Sequence, residues 1–167
     1  MQKKFLSVIL VIWLSSVIQS CTSINSDTDY KMVSRDNVAL GLAYLKNGNK
    51  VRAKEKLLYA LHESPQDPIT LDAMAYFWEN TGNITLASQY YEQAYRLAPN
   101  DGAVLNNYGV FLCRQHQPQK AETLFLKAAS LENYINTAKV YENAGICSLR
   151  VNDKAKAKDY FTKALAN

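Results

Sequence analysis

The sequence predicts an all-α protein built as a row of four helix hairpins, a reading carried by three observations. Small residues recur at fixed intervals: Ala53, Ala87, Ala121 and Ala157 lie 34, 34 and 36 residues apart, and Ala60, Ala94, Ala128 and Ala164 keep the same spacing. Gly41, Ala75, Gly109 and Gly145 form a third small column, while Leu57, Tyr91, Phe125 and Phe161 form a large apolar one. Turn-forming residues cluster within each period, at Asn47-Gly48-Asn49, Thr81-Gly82-Asn83, Gln117-Pro118 and Asn152-Asp153. A repeat of this length is one supersecondary unit that cannot bury its apolar face alone, so neighbouring units must stack. Composition agrees, because a chain of 167 residues with 48% hydrophobic residues, six Gly and four Pro is neither disordered nor collagen-like.

Taken in order, the chain opens with Lys3 and Lys4 ahead of an apolar run from Phe5 to Ile18. As a helix this run reaches roughly 21 Å, short of the ~30 Å hydrocarbon layer, so residues 1–20 are expected to be an export signal rather than a membrane span. The run ends Ile18-Gln19-Ser20-Cys21, which resembles a bacterial lipobox with Gln19 as its unusual member. That resemblance implies cleavage before Cys21 and acylation of its new N-terminus. Two or more acyl chains hold a protein on a membrane where a single chain binds marginally. Thr22, standing where an Asp would mark retention, implies the outer membrane and its periplasmic face. Residues 21–33 are expected to be the lipidated cysteine and a flexible tether, since they are polar and lack helical periodicity.

The repeats run 34–67, 68–101, 102–135 and 138–167, with two extra residues before the last. Small residues are expected where paired helices approach closely and large ones where gaps between units must be filled. Tyr160, Phe161 and Leu165 in the final helix are expected to need cover, from a partner or by fraying. Tyr44, Tyr91 and Tyr108 stand at packing positions of the repeat and read as core.

Chemistry is sparse. His62 and His116 lie in separate repeats with no ligand-spaced partner, and no Cys-x-x-Cys, His-Glu-x-x-His, phosphate loop, dinucleotide fingerprint or nucleophile elbow occurs. No metal, no small cofactor and no catalytic residue is expected. The net charge is +4, and +2 once Lys3 and Lys4 are removed, with acidic residues mixed throughout. That balance gives no basic face for nucleic acid.

A period of 34 residues, with small residues at the eighth, twentieth and twenty-seventh places and a large apolar one at the twenty-fourth, resembles the tetratricopeptide repeat. The resemblance implies a right-handed superhelix whose concave face, lined by the first helix of each repeat, holds an extended peptide or partner helix. On this numbering the groove includes Leu42, Tyr76, Asn106, Val110, Arg114, Asn143, Ile146 and Arg150. The asparagines either hydrogen-bond a bound backbone or brace neighbouring helices, and both readings stand at this point. The arginines are suited to a carboxylate.

Repeats three and four read Val104-Leu105-Asn106-Asn107-Tyr108-Gly109-Val110-Phe111-Leu112-Cys113 and Val140-Tyr141-Glu142-Asn143-Ala144-Gly145-Ile146-Cys147. These stretches resemble the PilF/PilW lipoproteins of type IV pilus biogenesis, which usually carry longer arrays. The resemblance implies a pilotin, an adaptor that brings a pilus secretin subunit to the outer membrane and promotes its multimerisation. A general periplasmic scaffold for other envelope proteins is the alternative. Cys113 and Cys147 remain after Cys21 is assigned to lipid, an even pair in an oxidising compartment. Both lie late in the first helices of adjacent repeats, either as a disulfide or as two buried thiols.

Overall fold

A computed structural model describes residues 26–167. The expected signal segment and Cys21 lie outside the described residues. Eight helices follow one another: α1 (Ser26–Lys46), α2 (Lys50–Glu63), α3 (Pro68–Asn80), α4 (Ile84–Leu97), α5 (Gly102–Arg114), α6 (Pro118–Ala129), α7 (Thr137–Arg150) and α8 (Lys154–Leu165). They pair as α1/α2, α3/α4, α5/α6 and α7/α8, one hairpin for each repeat, and successive hairpins stack.

Local chemistry sets the boundaries. Asn49, Asn83 and Asp153 cap α2, α4 and α8 by accepting the backbone N–H of Arg52, Leu86 and Lys156 at 3.0–3.1 Å. Asp67 and Asp101 do the same for α3 and α5. Pro68 and Pro118 open α3 and α6 at a position where the missing N–H costs nothing. Each hairpin turns on one left-handed residue at the same place in its repeat: Gly48 (φ 77°), Gly82 (φ 89°), His116 (φ 58°) and Asn152 (φ 62°). Gly adopts that conformation freely, whereas His116 does so against its Cβ.

Residues 26–33 correct one expectation. They extend α1 toward its N-terminus instead of forming a flexible tether. Ser34 anchors the helix below them, fully buried and bonded from its Oγ to the Ala60 carbonyl (3.0 Å) and to Thr70 Oγ1 (2.9 Å). Once that turn is fixed, each further residue adds a hydrogen bond without a new nucleation cost. Tyr30, Met32 and Val33 are exposed on this extension, which explains why no apolar period marks it in the sequence.

The periodic columns are the core. Ala53, Ala87, Ala121 and Ala157 are buried, as are Ala60, Ala94 and Ala128, and only Ala164 in the last helix is half-buried. The third and fourth columns meet inside each hairpin. A Cβ on Gly41 would come within 2.6 Å of Leu57, on Gly109 within 2.7 Å of Phe125, and on Gly145 within 2.6 Å of Phe161. In the second hairpin Ala75 and Tyr91 occupy the same places, and both are buried in one cluster. Of the expected core tyrosines, Tyr91 is buried, while Tyr44 and Tyr108 are half-buried against the core.

The last hairpin also departs from expectation. Tyr160 needs no outside cover, because it is buried, stacks on Tyr141 (6.2 Å between centroids) and donates its hydroxyl to Glu122 of the preceding hairpin. Phe161 is half-buried over Gly145, and Leu165 is exposed. Replacing Gly109 by Val drives two methyls into the Phe125 ring and is expected to destabilise the protein by about 1–3 kcal/mol. The check is the urea unfolding midpoint, and an unchanged midpoint would contradict the close-approach reading.

Candidate functional site: a polar-floored groove

The first helices of the hairpins line a concave groove of about 730 Å³. Leu42 from α1, Tyr76 from α3, Asn106, Val110 and Arg114 from α5, and Asn143 from α7 all face it. Ile146 is exposed outside this groove. Arg150 lines a separate cavity of about 390 Å³ with His116, Cys113 and Cys147. Only the first turns of α7, through Lys139 and Asn143, reach the groove. Ile146 and Arg150, expected in the groove, are not among the residues that line this cavity.

Inside the groove the asparagines bond to one another. Asn143 donates its amide to Asn106 Oδ1 (2.8 Å), Asn106 makes a long contact to Asn107 Oδ1 (3.4 Å), and Asn107 donates to Asp72 Oδ2 (2.7 Å). This chain of amides joins α7, α5 and α3 across three repeats. Of the two readings open for Asn106 and Asn143, bracing describes these contacts, and Asn106 is 8% exposed.

Asp72 closes the chain, and its Oδ1 is buried with no hydrogen-bond partner. Burial pushes its carboxyl up from 3.8 to about 7, helped by the nearby charge of Asp101 and opposed by the Asn107 hydrogen bond. Arg114 forms an ion pair with Glu79 Oε1 (3.0 Å), so its carboxylate partner lies within the chain. Glu79 Oε2 accepts the Tyr91 hydroxyl at 3.2 Å. Burial, followed by the charges of Asp72 and Glu79, raises the Tyr91 phenol far above its ordinary value. The groove thus has a polar, internally bonded floor and an apolar wall, where Tyr76 is 42% exposed and Leu42 and Val110 are half-buried. That arrangement suits a protein segment that lays apolar side chains against the wall and backbone groups against the floor.

Sequence reasoning missed Asp72 and Glu79. Asp72 stands 34 residues before Asn106, in the same repeat column, so that column was the signal. Glu79 stands 34 residues before Cys113, a position where the later repeat carries a thiol and gives no hint of charge. Cys113 and Cys147 are joined in a disulfide with their Cα atoms 5.8 Å apart, linking α5 to α7 near the groove's end. Among the described residues no group of three or more His, Cys, Asp or Glu converges on a metal-sized site.

The pH dependence follows from Asp72. The folded protein holds its proton between about pH 4 and about pH 7, where the unfolded chain has lost it, so stability falls as pH rises through that window. Asp72→Asn removes this dependence. It is expected to raise the thermal midpoint at about pH 8 and to leave it nearly unchanged at about pH 4. Equal shifts at both pH values would show that the carboxyl is not desolvated.

Comparison with known proteins agrees with the geometry. Tetratricopeptide-repeat profiles match residues 73–101 and 101–167. The type IV pilus assembly protein PilF of Pseudomonas aeruginosa is 35% identical over 128 residues, covering 77% of this chain and 51% of PilF. The chain therefore spans about half the length of that relative. The solved structure from the functional characterization of Pseudomonas aeruginosa PilF superimposes with a TM-score of 0.76 at 33% identity, covering 83% of this chain and 62% of that one. PilW, described as a widely conserved type IV pilus biogenesis factor, gives 0.75 at 26% identity over 80% of this chain and 61% of its own. The chain belongs to the tetratricopeptide-repeat family, as a relative of the PilF and PilW proteins of type IV pilus biogenesis.

Proposed function

We propose that the protein is a non-enzymatic, lipid-anchored adaptor of type IV pilus biogenesis that acts as a pilotin. In this reading Cys21 carries the lipid and places the array on the periplasmic face of the outer membrane. The concave groove binds a segment of the pilus secretin subunit and promotes its multimerisation. The observation that carries the proposal is the groove itself, a preformed concavity whose wall leaves Tyr76 exposed beside Leu42 and Val110. Similarity to PilF and PilW supports pilus biogenesis as its setting. A binding role needs no small cofactor, and Arg114 and Glu79 on the floor are paired with each other.

Two experiments test this. A photo-crosslinker at Tyr76, exposed on the groove wall, is expected to capture the secretin subunit in intact cells. Capture of cell-wall enzymes with no secretin would favour a general envelope scaffold instead. Cys21→Ala is expected to leave the protein unanchored and to reduce secretin multimers in the outer membrane. Undiminished multimers in that variant would remove the pilotin role.

A further inference from the structure

Away from the concave groove, a second cavity of about 390 Å³ opens in the seam between the second and third hairpins. Tyr95, Tyr108, Leu112 and Leu124 form its apolar wall, with Arg96 and Lys120 at its edge. Its size is near the lower end for ligand pockets, about 300 Å³.

The repeat itself explains why this seam is open. The residues one period before Leu112 and Leu124 are Trp78 and Tyr90, and both rings pack into the core at the first seam. At the third seam, the counterpart of Leu124 is Tyr160, which is buried. At the place of Leu124, then, both neighbouring seams carry a tyrosine and the middle seam a leucine, while at the place of Leu112 the first seam carries Trp78 and the third Ser148. Two tyrosines flank the resulting space, Tyr95 and Tyr108, with ring centroids 6.0 Å apart and planes tilted by 47°. Such rings favour another aromatic in offset or edge-on contact.

Charge narrows the choice of occupant. Lys127 lies 5.6 Å from the centroid of the Tyr95 ring, adding a third cation to Arg96 and Lys120 against the single carboxylate of Glu92. Among the described residues, none of these three cations has a carboxylate within ion-pair distance. Lys120 donates to the amide oxygen of Gln117 (2.9 Å), so a carboxylate arriving with the ring would meet Arg96 and Lys120 without displacing an ion pair.

We infer that this seam is a second docking site, and that it takes an aromatic side chain flanked by acidic residues on a protein partner. The ring supplies what Tyr90 and Tyr160 supply at the place of Leu124 in the other seams, and the acids meet Arg96 and Lys120. The site lies outside the concave groove and does not depend on what that groove binds.

The test is an NMR titration of the full-length protein, carrying isotope-labelled tyrosine, with the blocked tripeptides Asp-Phe-Asp and Asp-Leu-Asp. The ring signals of Tyr95 and Tyr108 are expected to shift with the phenylalanine peptide, which binds about fivefold more tightly than its leucine counterpart. Leu124→Tyr, which places the neighbouring seams' ring in the cavity, is expected to keep the helical spectrum and lose the shift. In the double variant Arg96→Glu and Lys120→Glu the preference is expected to move to Lys-Phe-Lys, which keeps the test decisive if Leu124→Tyr folds poorly. Absence of any ring shift, equal binding of the two acidic peptides, or a shift that survives both variants would overturn the inference. A shift of the same signals with protein concentration alone would also overturn it, by making a second copy of the chain the occupant.

Discussion

The contact between the eighth and twenty-fourth places of each repeat governs the architecture. Gly41, Gly109 and Gly145 bring their helices so close to Leu57, Phe125 and Phe161 that a single added carbon would overlap the facing side chain. Ala75 with Tyr91 is the second hairpin's version of the same contact. Helices of 12–14 residues are marginal alone, so this interlocking and the alanine columns beside it hold α2 through α8 in place. Because the contact recurs at the same depth in every hairpin, the first helices fall on one side of the stack, and a groove results without residues dedicated to shaping it.

That groove is organised by polar groups that satisfy one another. The amide chain from Asn143 through Asn106 and Asn107 to Asp72 ties three repeats together, and the Arg114–Glu79–Tyr91 cluster fixes two of them at a second point. Buried networks of this kind set geometry more than they add stability, and the unpartnered oxygen of Asp72 is the part that costs free energy. The disulfide between Cys113 and Cys147 spans a sequence separation of 34 residues. Bridges that close loops of such length typically contribute about 2–4 kcal/mol. It joins the late turns of α5 and α7, so a covalent link reinforces the seam between the third and fourth hairpins, the one at which the repeat spacing changes.

The seams between hairpins are less uniform than their interiors. Tyr90 and Tyr160 stand in the first and third at the place where the middle one holds Leu124 beside Tyr95 and Tyr108. Two of the array's recessed surfaces therefore differ in character. One is polar-floored and lined by first helices, and the other is aromatic and rimmed by cations.

Much of this was legible in the residues. Spacing alone located the hairpins, their turns and the alanine core, because a close backbone contact that tolerates no side chain beyond a methyl leaves a glycine or alanine in the sequence wherever it occurs. The resemblance of residues 104–147 pointed to the relatives that the comparisons report. The start of α1 was not legible, since Tyr30, Met32 and Val33 on it are exposed and mark no buried stripe. Nor was the placement of Arg150 beside His116, Cys113 and Cys147, which only the stacking of the hairpins brings together.

By itself, then, the sequence determined the repeat and the pairing of helices, because both follow from short-range spacing and van der Waals contact, while the side of the groove came from the resemblance to the tetratricopeptide repeat. Only the tertiary structure decided what each polar side chain does within that groove. Asn106 and Asn143 lie 37 residues apart and become partners only when the hairpins stack, as do Asp72 with Asn107 and Glu79 with Arg114. Hydrogen bonds and desolvation depend on distances of a few ångströms between distant repeats, and no column of a sequence encodes those distances.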